Sequence, residues 1–126
     1  MDSNARPRGE ISLSYHMFFG FDLGPDVDEA AARQALDDLT QALIAADVLL
    51  STAPVAKRQH HPVLDTATHI ASAFFTTMTF KDKAQADAAV KLIYAKSPDT
   101  DDTHNAFIDL VKDPFFLCFD DIPCRT

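Results

Sequence analysis

Tryptophan is absent from this 126-residue chain and glycine is scarce, with three copies. There is no Gly-rich phosphate loop, Gly-x-Ser-x-Gly element or Cys-x-x-Cys pair, which argues against nucleotide capture through backbone amides and against the commonest nucleophile and redox motifs. Positive charge is also in short supply. Eleven Lys+Arg face nineteen Asp+Glu, for a net charge of −8. Such a surface repels phosphate backbones and anionic lipid, and the one basic concentration, Lys57-Arg58 beside His60-His61, is too small to reverse that. Neither a nucleic-acid nor a membrane partner is expected. No apolar run approaches the roughly 20 residues that span a bilayer. Met1 to Glu10 lack the basic-then-apolar pattern of a signal peptide. A cytoplasmic location is therefore expected, with Cys118 and Cys124 as thiols; a disulfide between them is the alternative.

What is present is a globular composition, 47% hydrophobic and 24% charged, with ten phenylalanines gathered mainly in three short runs. A chain of this length buries roughly two-thirds of its unfolded surface without a metal or disulfide staple. Residues 1–9 read as a flexible leader, and 10–126 as a single domain.

Along that domain, Ile11, Leu13, Tyr15, Met17, Phe19 and Phe21 alternate with Ser12, Ser14, His16 and Phe18, which predicts a strand. Gly24-Pro25 ends it. Asp26 or Asp28 then offers an N-cap for a helix over about 28–46, with the stripe Ala32, Leu36, Leu39, Leu43 and Ala46. Val48–Ala56 predicts a second strand, confined to a sheet edge by Pro54. Residues 57–69 form a polar connection, and 71–80 a strong third strand. Asp82 with Gln85 resembles a capping box for a second helix whose apolar face is Ala86, Ala89, Val90 and Ile93. Pro98 is expected to end it. Asp101 or Asp102 would cap a short extra helix carrying His104, Phe107, Ile108 and Val111. Asp113-Pro114 would stop that helix before a last strand over 115–119.

This β-α-β-β-α-(α)-β order predicts a ferredoxin-like α+β fold, a four-stranded antiparallel sheet in the order 4-1-3-2. Helices can cover one face of such a sheet. Strand one carries Phe18 among its serines, strand three has Phe75 opposite Phe74 and Phe80, and strand four has Phe116 and Cys118 on one side with Phe115, Leu117 and Phe119 on the other. Both faces are thus partly apolar, so a homodimer packed sheet to sheet is expected. The alternative is a monomer whose tail and 57–69 loop cover that face.

Three segments carry a family resemblance: Tyr15-His-Met-Phe-Phe-Gly-Phe21, Thr79-Phe80-Lys-Asp-Lys-Ala84, and Tyr94 through Ser97-Pro98 and His104-Asn-Ala-Phe107 to Phe115–Asp120. Together they resemble the stress-responsive α/β-barrel domain of the dimeric α+β barrel superfamily, over roughly 11–46 and 70–121. The resemblance implies a homodimer, no cofactor, and a histidine general acid/base assisted by a tyrosine, as in polyketide cyclases of that superfamily. It departs in three ways. Tyr15 stands where the family has its first histidine, with His16 one residue late and on the opposite face. Ser97 replaces another histidine, and five residues rather than one separate Pro98 from His104.

His104 is accordingly the candidate acid/base, since imidazole titrates near neutrality, with Tyr94 or Tyr15 as the phenol. The bland alternative is a half-buried histidine bonded to a backbone carbonyl. His16 and Phe107 complete the candidate ligand contacts; His16 would face either a helix-side cavity or the dimer interface. His60, His61 and His69 lack ligand-like spacing, so no metal is expected. Three functions fit. One is a protein binding a small apolar or aromatic molecule between helices and sheet, and another a cofactor-free enzyme (cyclase, isomerase or monooxygenase) acting through His104. The third is a structural or partner-binding module.

Overall fold

A computed structural model describes residues 13–123. The expected leader 1–9, the strand positions Ile11 and Ser12, and Cys124 with its pairing to Cys118 lie outside the described residues. In chain order the elements are β1 (Tyr15–Leu23), α1 (Glu29–Ala45), β2 (Ser51–Thr52), β3 (Ala56–Lys57), β4 (Phe74–Phe80), α2 (Lys83–Tyr94), α3 (Pro98–Ile108) and β5 (Val111–Asp120).

Alternation along β1 and β4 sends Phe19, Phe21, Phe74, Met78 and Phe80 to one face, where each is buried. Helix α1 lays Ala35, Leu36, Leu39 and Leu43 over them, and Phe107 of α3 meets Phe19 and Phe21 edge-on. These contacts form the core. The sheet runs β2-β4-β1-β5, antiparallel throughout, with β3 on the same side of β4 as β2. Taken as halves of one edge strand, β2 and β3 reproduce the expected order. They differ in detail because the expected continuous strand 48–56 is interrupted around Pro54, which has no N–H to donate. The third strand begins at Phe74 rather than 71.

Helix ends follow local chemistry. Asp28, not Asp26, caps α1 by accepting the Ala30 N–H. At its other end the Asp47 and Val48 N–H groups return to the Ile44 and Leu43 carbonyls, leaving Asp47 at φ 61°. Asp82 caps α2 through the Gln85 N–H. The Gln85 amide oxygen reaches back to the Lys81 N–H, one residue beyond the reciprocal bond of an ordinary capping box.

Two boundaries depart from expectation. Helix α2 ends at Tyr94, and Pro98 opens α3 instead of closing α2, because a proline is well placed at a first helical position where no N–H is needed. Asp101 and Asp102 thus lie inside α3 rather than capping it. Val111 is not on the helix but begins β5, which runs four residues longer than expected at its start. Asp113-Pro114 sits inside the strand as a bulge, two residues opposite Phe21, with Asp113 at φ 50°.

Among the described residues no helix covers the opposite face of the sheet. Phe18 stacks on Phe75 and tilts against Phe115, and the two outer rings close over Gly20, where a Cβ would lie 2.4 Å from Phe115 and 2.9 Å from Phe75. Leu117 and Phe119 on this face remain 49% and 43% exposed. Among the described residues no helix is long and apolar enough to cross a membrane.

Candidate functional site

The helix layer does not close completely over the sheet. Helix α2 presents the small side chains Ala86 and Ala89 inward, while Val90 stays half exposed. Helix α3 is short and stops before covering the β5 edge, so Phe116 is 52% exposed on the helix side. Between α2, α3, β1 and β5 this leaves an apolar cleft of three adjoining recesses, all lined by Met17 and Ile93. The innermost, about 100 Å³, is walled by Phe19, Phe21, Leu39 and Phe107. An outer recess of about 330 Å³ is lined by Val90 and Tyr94. His104 and Phe116 line both of these and so stand where they meet. The third, about 210 Å³, runs under α2 to Tyr15 and Cys118.

The cleft therefore unites four of the five candidate residues. His104 is partly exposed on α3, and Tyr94, 80% exposed, ends α2 beside the same recess. The side-chain hydrogen bonds on α3 are those of Thr103 to the Asp99 and Thr100 carbonyls; none described involves the His104 ring. An imidazole and a phenol at one apolar mouth can pass a proton to or from a bound carbonyl or hydroxyl. Phe107 forms wall rather than polar contact. Tyr15 lies at the far end, where its hydrogen bond with the Cys118 thiol, then desolvation and the nearby Asp120 and Asp87, push the phenol above its ordinary value.

His16 is not part of this cleft. Of its two expected destinations it takes the open face of the sheet, where its ring stacks on Phe119 with centroids 4.9 Å apart. Nδ1 lies 3.0 Å from Thr79 Oγ1 and Nε2 2.7 Å from Asp121 Oδ1, with the side chain 15% exposed. Such a hydroxyl–imidazole–carboxylate row can polarise the hydroxyl. The neighbouring β1 and β4 amides are engaged in their ladders, however, so they form no oxyanion hole. The row holds the ring against Phe119.

The 58–73 connection is more ordered than a wet loop. Arg58 forks onto Asp65 at 2.8 and 2.7 Å and also donates to the Ala67 and Ile70 carbonyls. This guanidinium holds the Asp65 carboxyl at about 2, below its ordinary 3.8. His61 Nδ1 accepts the Val63 and Leu64 N–H groups, and His60 lies 3.5 Å from Asp65. Two of the three loop histidines are thus placed by structural contacts. Among the described residues no group of three or more His, Cys, Asp or Glu is arranged to hold a metal ion.

Sequence reasoning missed Thr79 and Asp121 as partners of His16, and Met17, Ile93 and Phe116 as cleft walls. Register would have supplied Thr79, which pairs with His16 across β1 and β4. Asp121 lies beyond β5 and carries no such signal.

No family model matches the chain, and no curated protein is similar to it in sequence. Solved structures are similar to it. Hydroxynitrile lyase from Passiflora edulis superposes with a TM-score of 0.61 at 14% identity, covering 91% of this chain and 98% of that one. SnoaB, a cofactor-independent oxygenase from Streptomyces nogalater, gives 0.58 at 7% identity over 86% and 92%. A dimeric ferredoxin-like protein of unknown function from Thermobifida fusca gives 0.52 at 15% identity over 86% and 91%. At these identities the likeness establishes the ferredoxin-like α+β fold expected from the sequence.

Proposed function

We propose that the chain is a homodimeric α+β barrel protein that binds a small apolar or aromatic molecule in the cleft between α2, α3 and the sheet. The observation that carries this reading is the cleft itself, an apolar space with one imidazole and one phenol at its mouth. A purely structural module would have no reason to leave such an apolar space unfilled in its helix layer. The homodimer is supported by the uncovered aromatic face and by a fold neighbour that is itself dimeric.

A second reading, a cofactor-free enzyme with His104 as general acid/base and Tyr94 as its assistant, is favoured by their shared recess and by two fold neighbours that are a lyase and a cofactor-independent oxygenase. Tyr15 and Phe107 would then shape the ligand and not react with it, and His16 would belong to the dimer.

A thermal-shift screen of small carbonyl and aromatic compounds against the full chain tests both readings, repeated on His104→Ala. Compounds that raise Tm in the native chain and lose most of that shift in the variant support binding at the cleft mouth. Stabilisation that survives the change unaltered removes His104 from the site. Turnover of a stabilising compound, abolished in the same variant, would select the enzyme.

A further inference from the structure

The charge and shape of the cleft walls define a ligand class, on the reading that the cleft is a binding site. Tyr15, Met17, Phe19 and Phe21 line it in succession along β1, a span of about 20 Å at strand spacing. Among the described residues no lysine or arginine lines any of the three recesses, and the one ordinarily charged wall residue among them is an acid, Asp87. Lys83, Lys91 and Lys96, on or just after α2, are exposed and line none of them. A carboxylate or phosphate entering such a space would give up water without meeting a fixed countercharge, inside a chain already at −8. Asp87 is exposed on α2, so its field on a cation is screened by water.

We infer that the cleft takes an uncharged, elongated molecule, an alkyl or alkyl-aryl chain bearing one hydroxyl or carbonyl, and discriminates against carboxylates and phosphates of the same skeleton. The hydrocarbon lies along Met17 and Ile93. The single polar atom sits at the mouth, where the His104 imidazole or the Tyr94 hydroxyl can bond it. The class is selected mainly by what the walls omit.

The test is calorimetric titration of the full chain at pH 8 with three probes of one chain length: 1-octanol, octanoate and octylammonium. Octanol should bind at least about tenfold more tightly than either ion, because neither ion finds a buried partner. Val90→Lys, at a half-exposed position lining two recesses, should then raise octanoate affinity relative to octanol by about tenfold. Octanoate or octylammonium binding as tightly as octanol in the native chain would overturn the inference while leaving the binding site standing. Failure of all three to bind at millimolar concentration would overturn the binding-site reading and the inference with it. Octanol binding that persists unaltered in Ile93→Trp, which fills the shared wall, would place the ligand elsewhere and do the same.

Discussion

Asp65 shows how one side chain organises a long connection. Its carboxylate receives both arms of Arg58 and the Ala67 N–H, and the pair is largely shielded from water, at 10% and 18% exposure. Because the folded carboxyl titrates at about 2 instead of 3.8, its contribution to stability is fully present above the ordinary value. That contribution is lost as pH falls from about 4 through 2. Asp65→Asn should therefore be less stable than the native chain in urea at pH 6, with the difference shrinking towards zero by pH 2. A constant difference across that range would show that the carboxylate's charge is not what the loop uses. His16 makes a complementary point at the same scale. A polar ring among phenylalanines on a central strand is satisfied by partners 63 and 105 residues away in sequence, so its role is set by folding and not by its neighbours.

The ends of elements carry the next level of information. Lys96 follows α2 in the left-handed region at φ 55°, donating its N–H to the Ile93 carbonyl. A lysine Cβ is crowded in that conformation, whereas glycine is not. Lys96→Gly should raise stability by about 0.5–1 kcal/mol in chemical denaturation, the usual gain at a helix-ending position of this kind. A loss instead would show that the exposed side chain contributes more than its backbone strain costs. Helix starts are legible in the amino-acid sequence, since Asp28 and Asp82 carry the short acceptor that an N-cap needs. The start of α3 is not, because proline both ends and begins helices and local sequence does not say which. Asp113-Pro114 resembles a stop for the same reason. Only pairing with β1 on the far side of Phe21 shows that the strand has already begun there.

At the scale of the molecule, the sheet has one face under helices and one without. Phe18, Phe75, Phe115, Leu117 and Phe119 make the second face apolar enough to require a cover, and the proposed dimer supplies it. Leu117→Asp should yield a folded monomer by size-exclusion chromatography with light scattering, because that side chain is half exposed in the single chain and its loss costs the core little. A native chain that is already monomeric at micromolar concentration would end the dimer reading. The sequence by itself determined the element types, their order and the two-faced sheet, since alternation, helical spacing and caps are local and survive without tertiary information. It also singled out His104, Tyr94, Tyr15 and Phe107, which the fold gathers along one cleft. Only the tertiary structure decided which face His16 occupies, how it meets Thr79 and Asp121, and that α2 stands off the sheet. Those facts depend on register and on the fit of side chains from distant segments, and neither is written in any single stretch of the chain.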